Sequence, residues 1–366
     1  MSAERARRHL QAIAAAPRPA GSDAERRARE HCAAVLRESG YVVREEPFTY
    51  STLPGKWGTP AAGVLSALVL AGASLAGAHG HARAALGTVA AGAVLLAALG
   101  HWLAHHAVLA IPVARAHGVN LVATRSVPSV WLVAHLDSKS QPVPIAVRAF
   151  GVMASIAVWL LAIALAASGS AGWIGAPALW PWIGVAGAVA ALPVIASVVS
   201  ARSPGALDDA SGVATVLLAA AEVDDERVGV LLTSAEELGL AGARAWVRAR
   251  ASRGGCGVNV DGVDDTGHVR VTVPLSRGAR VARALAHAAE QEGVHVDVRP
   301  LVPGVLLDAV ALSDAGWEVA TVSRGRLATV LRIHTPRDVV GTMSGQGIAE
   351  TARVVAGAVT LMLREG

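Results

Sequence analysis

Two adjacent carboxylates, Glu236 and Glu237, stand in the stretch Thr233-Ser-Ala-Glu-Glu-Leu-Gly-Leu-Ala-Gly242. An apolar run, Val228 to Thr233, precedes them, and a helical pattern starts near Ala241. A strand that ends in paired acids and leads into a helix puts both side chains at the carboxyl edge of a sheet, where α/β sites lie. Neighbouring carboxylates repel, so burying them requires a cation or a proton. One acid ligating a metal while the other handles a proton meets both needs. A solvated acidic turn is the plain alternative, and matching ligands elsewhere decide between the two.

Such ligands occur four times. Ala134-His135-Leu136-Asp137-Ser138 ends a strand, and Gly205-Ala-Leu-Asp208-Asp209-Ala-Ser-Gly212 opens a helix. Asn259-Val260-Asp261-Gly262 ends another strand, and Ile333-His334-Thr-Pro-Arg-Asp338 lies in a loop near the C-terminus. Singly, His135 reads as a core histidine, Asp208 as a helix cap, Asp261 as a turn former and His334 as a loop residue. Taken together, two histidines and several carboxylates converging on one sheet edge suit zinc, which accepts both nitrogen and oxygen ligands.

The elements that must position these residues follow the hydrophobic periodicity. Residues 3–15 and 22–38 read as amphipathic helices split by the loop Pro17-Arg-Pro-Ala-Gly-Ser22, with Ser22 or Asp23 as N-cap and Gly40 as the stop. Strands are expected at 41–50 (irregular at Pro47), 119–125 and 130–135, the three forming an antiparallel meander. Beyond Arg202 the pattern is soluble α/β. Strands are expected at 228–233, 256–261, 268–274, 294–298 and 318–323, and helices at 211–222, 241–251, 277–292 and 346–363. The fold class is therefore α/β, a mixed central sheet flanked by helices.

Between these elements the composition changes. No charged residue occurs from Trp57 to Ala82, nor after Arg83 until Arg115, nor from Ala149 to Ala201. Each stretch holds enough for crossings of about 20 residues. The short link His79-Gly-His-Ala-Arg83 and the turn Ser168-Gly-Ser-Ala-Gly172 make two transmembrane hairpins, the last helix kinked at Pro181 and Pro193. The expected organisation is 1–56, 115–146 and 202–366 as parts of one catalytic domain, with hairpins at 57–114 and 147–201. In the meander, both hairpins leave from the edge that carries the ligands, which predicts a site facing the bilayer surface. Lys56, Arg115, Lys139, Arg148 and Arg202 flank the hairpins on the soluble side against Arg83 alone in the short links, so the positive-inside rule puts the catalytic domain in the cytoplasm.

Composition agrees with a membrane protein: 53% of residues are hydrophobic and 16% charged. The net charge of +4 and pI near 9.7 rest on arginine, Lys56 and Lys139 being the only lysines. With 4% aromatic content and no basic stripe, no nucleic-acid partner is expected. Cys32 and Cys256 form no CxxC. The charged, amphipathic N-terminus has no apolar run of the kind a secretory signal needs. His101 and His105 have the i, i+4 spacing of a metal pair, with interfacial histidines as the plain reading.

AHLDS, GALDDASG, SAEELGLAG, NVDG and IHTPRD, in that order, resemble the motifs of the di-zinc aminopeptidases of metallopeptidase clan MH, family 28. The resemblance covers 119–140 and 203–360 well and 1–50 loosely; the membrane segments are not a family-wide feature. It implies two Zn2+, one held by His135, Asp208 and Asp261, the other by Asp208, Glu237 and His334, with Asp208 bridging. It implies Glu236 as general base and Asp137 as the partner that fixes the ring of His135. The expected activity is a membrane-bound zinc aminopeptidase acting on peptides with a free N-terminus, possession of a bilayer surface favouring membrane-proximal ones. Asp308 resembles a further family acid but lies between Leu307 and Ala309 where Ser and His are usual, and it reads as a solvated loop acid. Ile333 stands where the family often has an oxyanion-binding Tyr. Two rivals remain. A glutaminyl-cyclase-like enzyme would typically use one zinc, and a receptor or scaffold with a retired peptidase domain would have no reason to keep the full ligand set.

Overall fold

Val130–His135 (β3) and Val228–Thr233 (β4) are buried at every position, as strands covered on both faces must be. Their side chains alternate between two cores, following the two-residue repeat of a strand. Leu132, Ala134, Val230 and Leu232 join one core, and Trp131, Val133 and Leu231 join the other. The first core is covered by helices that include Ala3–Ile13, Ser211–Glu222, Ala279–Gln291 and Gln346–Glu365. The second is covered by Ala241–Arg248 and Asp308–Asp314 through Trp246, Ala309 and Leu312. This computed structural model describes residues 1–173, 176–250, 254–274, 277–302 and 304–365.

Among the described residues, β3 and β4 belong to an eight-stranded mixed sheet. The other strands are Val42–Ser51 (β1), Arg115–Thr124 (β2), Cys256–Val263 (β5), His268–Val273 (β6), Val296–Pro300 (β7) and Glu318–Gly325 (β8). Their order is β1-β2-β4-β3-β5-β8-β6-β7. The expected meander is corrected here: β2 pairs with β4, not β3, and β3 runs parallel to β4 and β5. The expected irregularity at Pro47 is also absent, since Pro47 pairs with Val119 in unbroken register. An edge strand tolerates the missing N–H. Ser22 caps the second helix, its hydroxyl accepting from Glu25 N at 3.2 Å, and Gly40 turns the chain at φ 81°. The expected helix 241–251 ends at Arg248, and Ala251 lies outside the described residues.

Although β4 intervenes, the strand directions still bring the end of β1 and the start of β2 to the edge where β3 and β4 end. Ser51 pairs with Arg115, Leu121 with Leu232, and His135 with Thr233. This domain is built from three chain segments, Met1–Thr52, Val108–Ser140 and Ala201–Gly366.

Leu53–Ala107 and Gln141–Ser200 form a second unit. Its helices belong to four apolar segments, Leu53–Ala78, Ala82–Ala110, Ile145–Ser170 and Pro177–Ile195, each long and apolar enough to cross a membrane. Small residues let them approach closely. A Cβ at Gly77 would lie 2.1 Å from the Trp180 ring, and one at Gly63 would lie 2.8 Å from Ile195. Polar groups are satisfied inside the unit: Ser74 Oγ donates to the Trp180 carbonyl, and Trp159 Nε1 donates to Ser66 Oγ at 2.8 Å. Leu68, Leu75, Val94, Phe150, Met153 and Leu160 are exposed, a surface suited to lipid rather than water. Pro181 sits in the first turn of the last helix and Pro193 inside it.

Candidate active site

The sheet edge at the ends of β3 and β4 gathers His135, Asp137, Asp208, Glu236, Glu237, Asp261 and His334. His135 is the last residue of β3, Glu236 and Glu237 form a single turn after β4, and Asp261 lies on β5 where its register with β8 shifts. Asp208 precedes the helix Ser211–Glu222 and is joined to Asp209 by a cis peptide bond. His334 lies in the segment after β8. Two positive-φ alanine and leucine residues, Ala235 at 57° and Leu240 at 59°, bracket the acid turn, and His334 itself has φ 61°. Such conformations cost free energy in non-glycine residues and cluster at functional sites.

Asp208 is the hub. Its Oδ1 lies 3.2 Å from His135 Nε2, and its Oδ2 lies 2.9 Å from His334 Nε2. Glu237 Oε1 is 3.2 Å from the same His334 nitrogen. Ligand atoms of His135, Asp208 and Asp261 all lie within 4.8 Å of one another, and so do those of Asp208, Glu237 and His334. Among the described residues these are the groups of three or more that could hold a metal, so His101 and His105, with ring centroids 4.5 Å apart, form no such group. Asp137, almost fully buried, accepts from the backbone N–H of Glu236 at 3.0 Å and of Glu237 at 3.2 Å. Its backbone carbonyl is 3.1 Å from His135 Nδ1, while its carboxylate is 3.6 Å away. Asp137 thus orients the acid turn as well as the ring.

Burial of so many carboxylates shifts their protonation in opposite directions. Burial raises Glu236 well above its ordinary value, with Glu237, Asp308 and Asp261 adding repulsion against the pull of His135. Burial and the charges of Asp208 and Glu237 raise Asp261 to about 7. For Glu237, burial is outweighed by Lys139 and His334, which hold it down at about 2. For Asp208, burial is outweighed by hydrogen bonds from His135 and His334, leaving it well below the usual range. Burial lowers the histidines, but Glu236, Asp137 and Asp208 raise His135 well above normal. The donor chemistry fits zinc: each triad offers imidazole nitrogen and carboxylate oxygen. Glu237 Oε1 and His334 Nδ1 are buried without a hydrogen-bond partner, and Glu237 Oε1 is one of the facing ligand atoms. A divalent cation at either triad would offset the charge that these acids concentrate.

Five residues given no role by the sequence also support the site. Asp308 is not a solvated loop acid: it is 1% exposed, begins the helix Asp308–Asp314, and accepts from Thr233 Oγ1. Its Oδ1 has no hydrogen-bond partner, and burial raises it to about 6. Leu307 and Ala309 hid it, because neither is polar. Arg18, fully buried, donates to the carbonyls of Leu136 at 2.8 Å, Gly205 at 3.0 Å and Pro204, fastening the N-terminal loop to two ligand-bearing segments. Asp209 accepts from the N–H of His135, Gly212 and Gly262, tying β3, a helix start and β5 together. Asp338 accepts from Leu207 N at 2.7 Å and Asp208 N at 3.1 Å. Lys139 ion-pairs with Glu237 Oε2, a contact its rarity in this chain could have flagged. Ile333 packs against the core.

Residues 189–359 match the model of peptidase family M28. No curated protein sequence matches the chain. Solved structures do match its fold. A zinc aminopeptidase from Bacillus subtilis aligns at 16% identity and TM-score 0.58, covering 99% of this chain and 95% of that one. An aminopeptidase from Aneurinibacillus sp. strain AM-1 aligns at 16% identity and TM-score 0.57, covering 98% and 93%. A glutaminyl cyclase from Fimbriiglobus ruber aligns at 14% identity and TM-score 0.57, covering 99% and 95%. At such identities the structural matches speak for the fold alone, a mixed α/β sheet flanked by helices. The sequence match to peptidase family M28 is confined to residues 189–359, and the structural matches show the fold that carries it.

Proposed function

We propose that the protein is a membrane-bound zinc aminopeptidase. The observation that carries this reading is the pair of ligand triads, His135–Asp208–Asp261 and Asp208–Glu237–His334, which share Asp208 and lie beside a further buried acid, Glu236. Zinc held by these triads would polarise a scissile carbonyl and lower the pKa of a water molecule. Glu236, a buried acid beside the triads, takes the proton from the attacking water and passes it to the leaving amine. Asp137 keeps Glu236 and Glu237 in place through their backbone N–H groups. His135 and His334 serve as neutral nitrogen ligands once a metal displaces their protons. Ile333 offers no hydrogen bond, so stabilising the oxyanion falls to other groups.

The four apolar helices support membrane anchoring, and both helical insertions leave and rejoin the peptidase domain at the sheet edge that bears the triads. That connectivity favours membrane-proximal or apolar peptides with a free N-terminus as substrates, and the flanking arginines and lysines favour a cytoplasmic catalytic domain. The test is metal content and amino-acid release by detergent-purified protein beside Glu236→Ala. Two zincs, with turnover lost in the variant, are expected. A glutaminyl-cyclase-like activity is the second reading, favoured by the cyclase of similar fold. Ammonia release from an N-terminal glutamine peptide, the γ-amide C–N bond breaking as the α-amine closes the ring and every peptide bond staying intact, would establish it instead. Metal-free, inactive protein would point to a scaffold.

A further inference from the structure

The two triads share Asp208 but differ in their surroundings. Lys139 lies four residues beyond His135, on the segment that follows β3, and its side chain is 18% exposed. Its ammonium ion-pairs with Glu237 Oε2, and Glu237 Oε1 faces His334 Nε2 at 3.2 Å. Glu236 and Asp208 are the other negative charges that act on it. One carboxylate is therefore held between a fixed cation and a ligand atom of the second triad. The first triad has no counterpart: among the described residues, no lysine or arginine ion-pairs with His135, Asp208 or Asp261. Lys139 is held in place by its chain. Ser138 Oγ donates to the Ser203 carbonyl at 2.9 Å, and Ser140 Oγ accepts from Arg202 N at 2.8 Å, so the residues on both sides are fastened.

A divalent ion at Asp208–Glu237–His334 would share Glu237 with the ammonium and meet it as a like charge. We propose that Lys139 is a built-in competitor for this position, weakening zinc there and making it the exchangeable one of the two. His135–Asp208–Asp261 would then fill at lower free zinc. No bond is made or broken covalently; an ion pair is traded against a coordination bond. The proposal rests on the two-position reading above and adds the order and the residue that sets it.

The test measures zinc bound per chain for the full-length protein in detergent, dialysed against buffers of stepped free zinc. Wild type, Lys139→Met and Lys139→Arg are compared, methionine keeping length without charge. Wild type is expected to load in two steps. In Lys139→Met the second step should move to lower free zinc by about 10-fold or more, as relief of the repulsion between an ammonium and a divalent ion sharing one carboxylate implies. The first step should stay in place, which also reports an intact fold, and Lys139→Arg should follow wild type. An unmoved second step in Lys139→Met, or both steps moving together, overturns the proposal while leaving two positions. If neither wild type nor Lys139→Met takes up a second zinc, the two-position reading fails and the proposal with it.

Discussion

Glu236 and Glu237 are neighbours in sequence, yet the structure gives them opposite proton affinities. Glu237 is bracketed by Lys139 and His334 and stays ionised, whereas Glu236 is buried among acids and is pushed upward. With Glu236 as the proposed general base, Glu236→Gln should lower kcat by about 10²–10⁴-fold, the usual worth of such a group, while zinc content stays at the wild-type level. Parallel loss of zinc would assign Glu236 to metal holding instead. At the same scale, Asp308 shows what a sequence withholds. Its identity as an acid was plain, but its burial depends on a helix packing against β8 and Trp246, contacts that no local pattern encodes. The convergence of His135, Asp208, Glu237, Asp261 and His334 was legible because strand ends, a helix start and a turn each left a short motif.

Elements were legible where one physical signal dominated. β3 and β4 read as apolar runs because both faces of each are covered. Their adjacency was not legible: β4 separates β2 from β3, although about 90 residues of chain lie between β3 and β4, and long-range parallel pairing has no local signature. The N-terminal helices show how remote elements carry the site. Arg18 reaches three carbonyls from the loop between them, so Arg18→Leu would take the donor from the Leu136 and Pro204 carbonyls, that of Gly205 keeping Ala210 N, and cost about 2 kcal/mol or more in unfolding free energy. Chemical denaturation checks it. Glu25, in the next helix, accepts from Gly21 N at 2.6 Å and is raised to about 7, chiefly by burial and then by Asp137. Its folded-state pKa exceeds the ordinary 4.5, so the stability its protonated form contributes is present below pH 4.5 and lost as pH rises through about 7. Glu25→Gln should remove this slope. The stability of the variant relative to wild type should rise between pH 5 and 8 in denaturation at constant zinc, and parallel curves would contradict it.

For the whole molecule, the proposed membrane anchoring through the four apolar helices sets the physical state in which an assay must work. The protein should remain with membranes through an alkaline wash and leave them only with detergent, as measured by fractionation; release by the wash would refute anchoring. The four long apolar helices themselves were legible in the sequence, because each follows from a charge-free stretch. The interleaving of the segments has a consequence for how the molecule is made and destroyed. The peptidase fold closes only when residues beyond Ala201 arrive, since β3 takes its place between β4 and β5, both synthesised after the second insertion. Ribosomes therefore deliver both helical pairs before any activity can appear. Nor can a single cut set a soluble enzyme free: one nick in the link at 79–81 leaves every piece of the catalytic domain attached to an apolar helix. With the proposed anchoring, shedding, a common fate of enzymes on one stalk, is closed to this architecture.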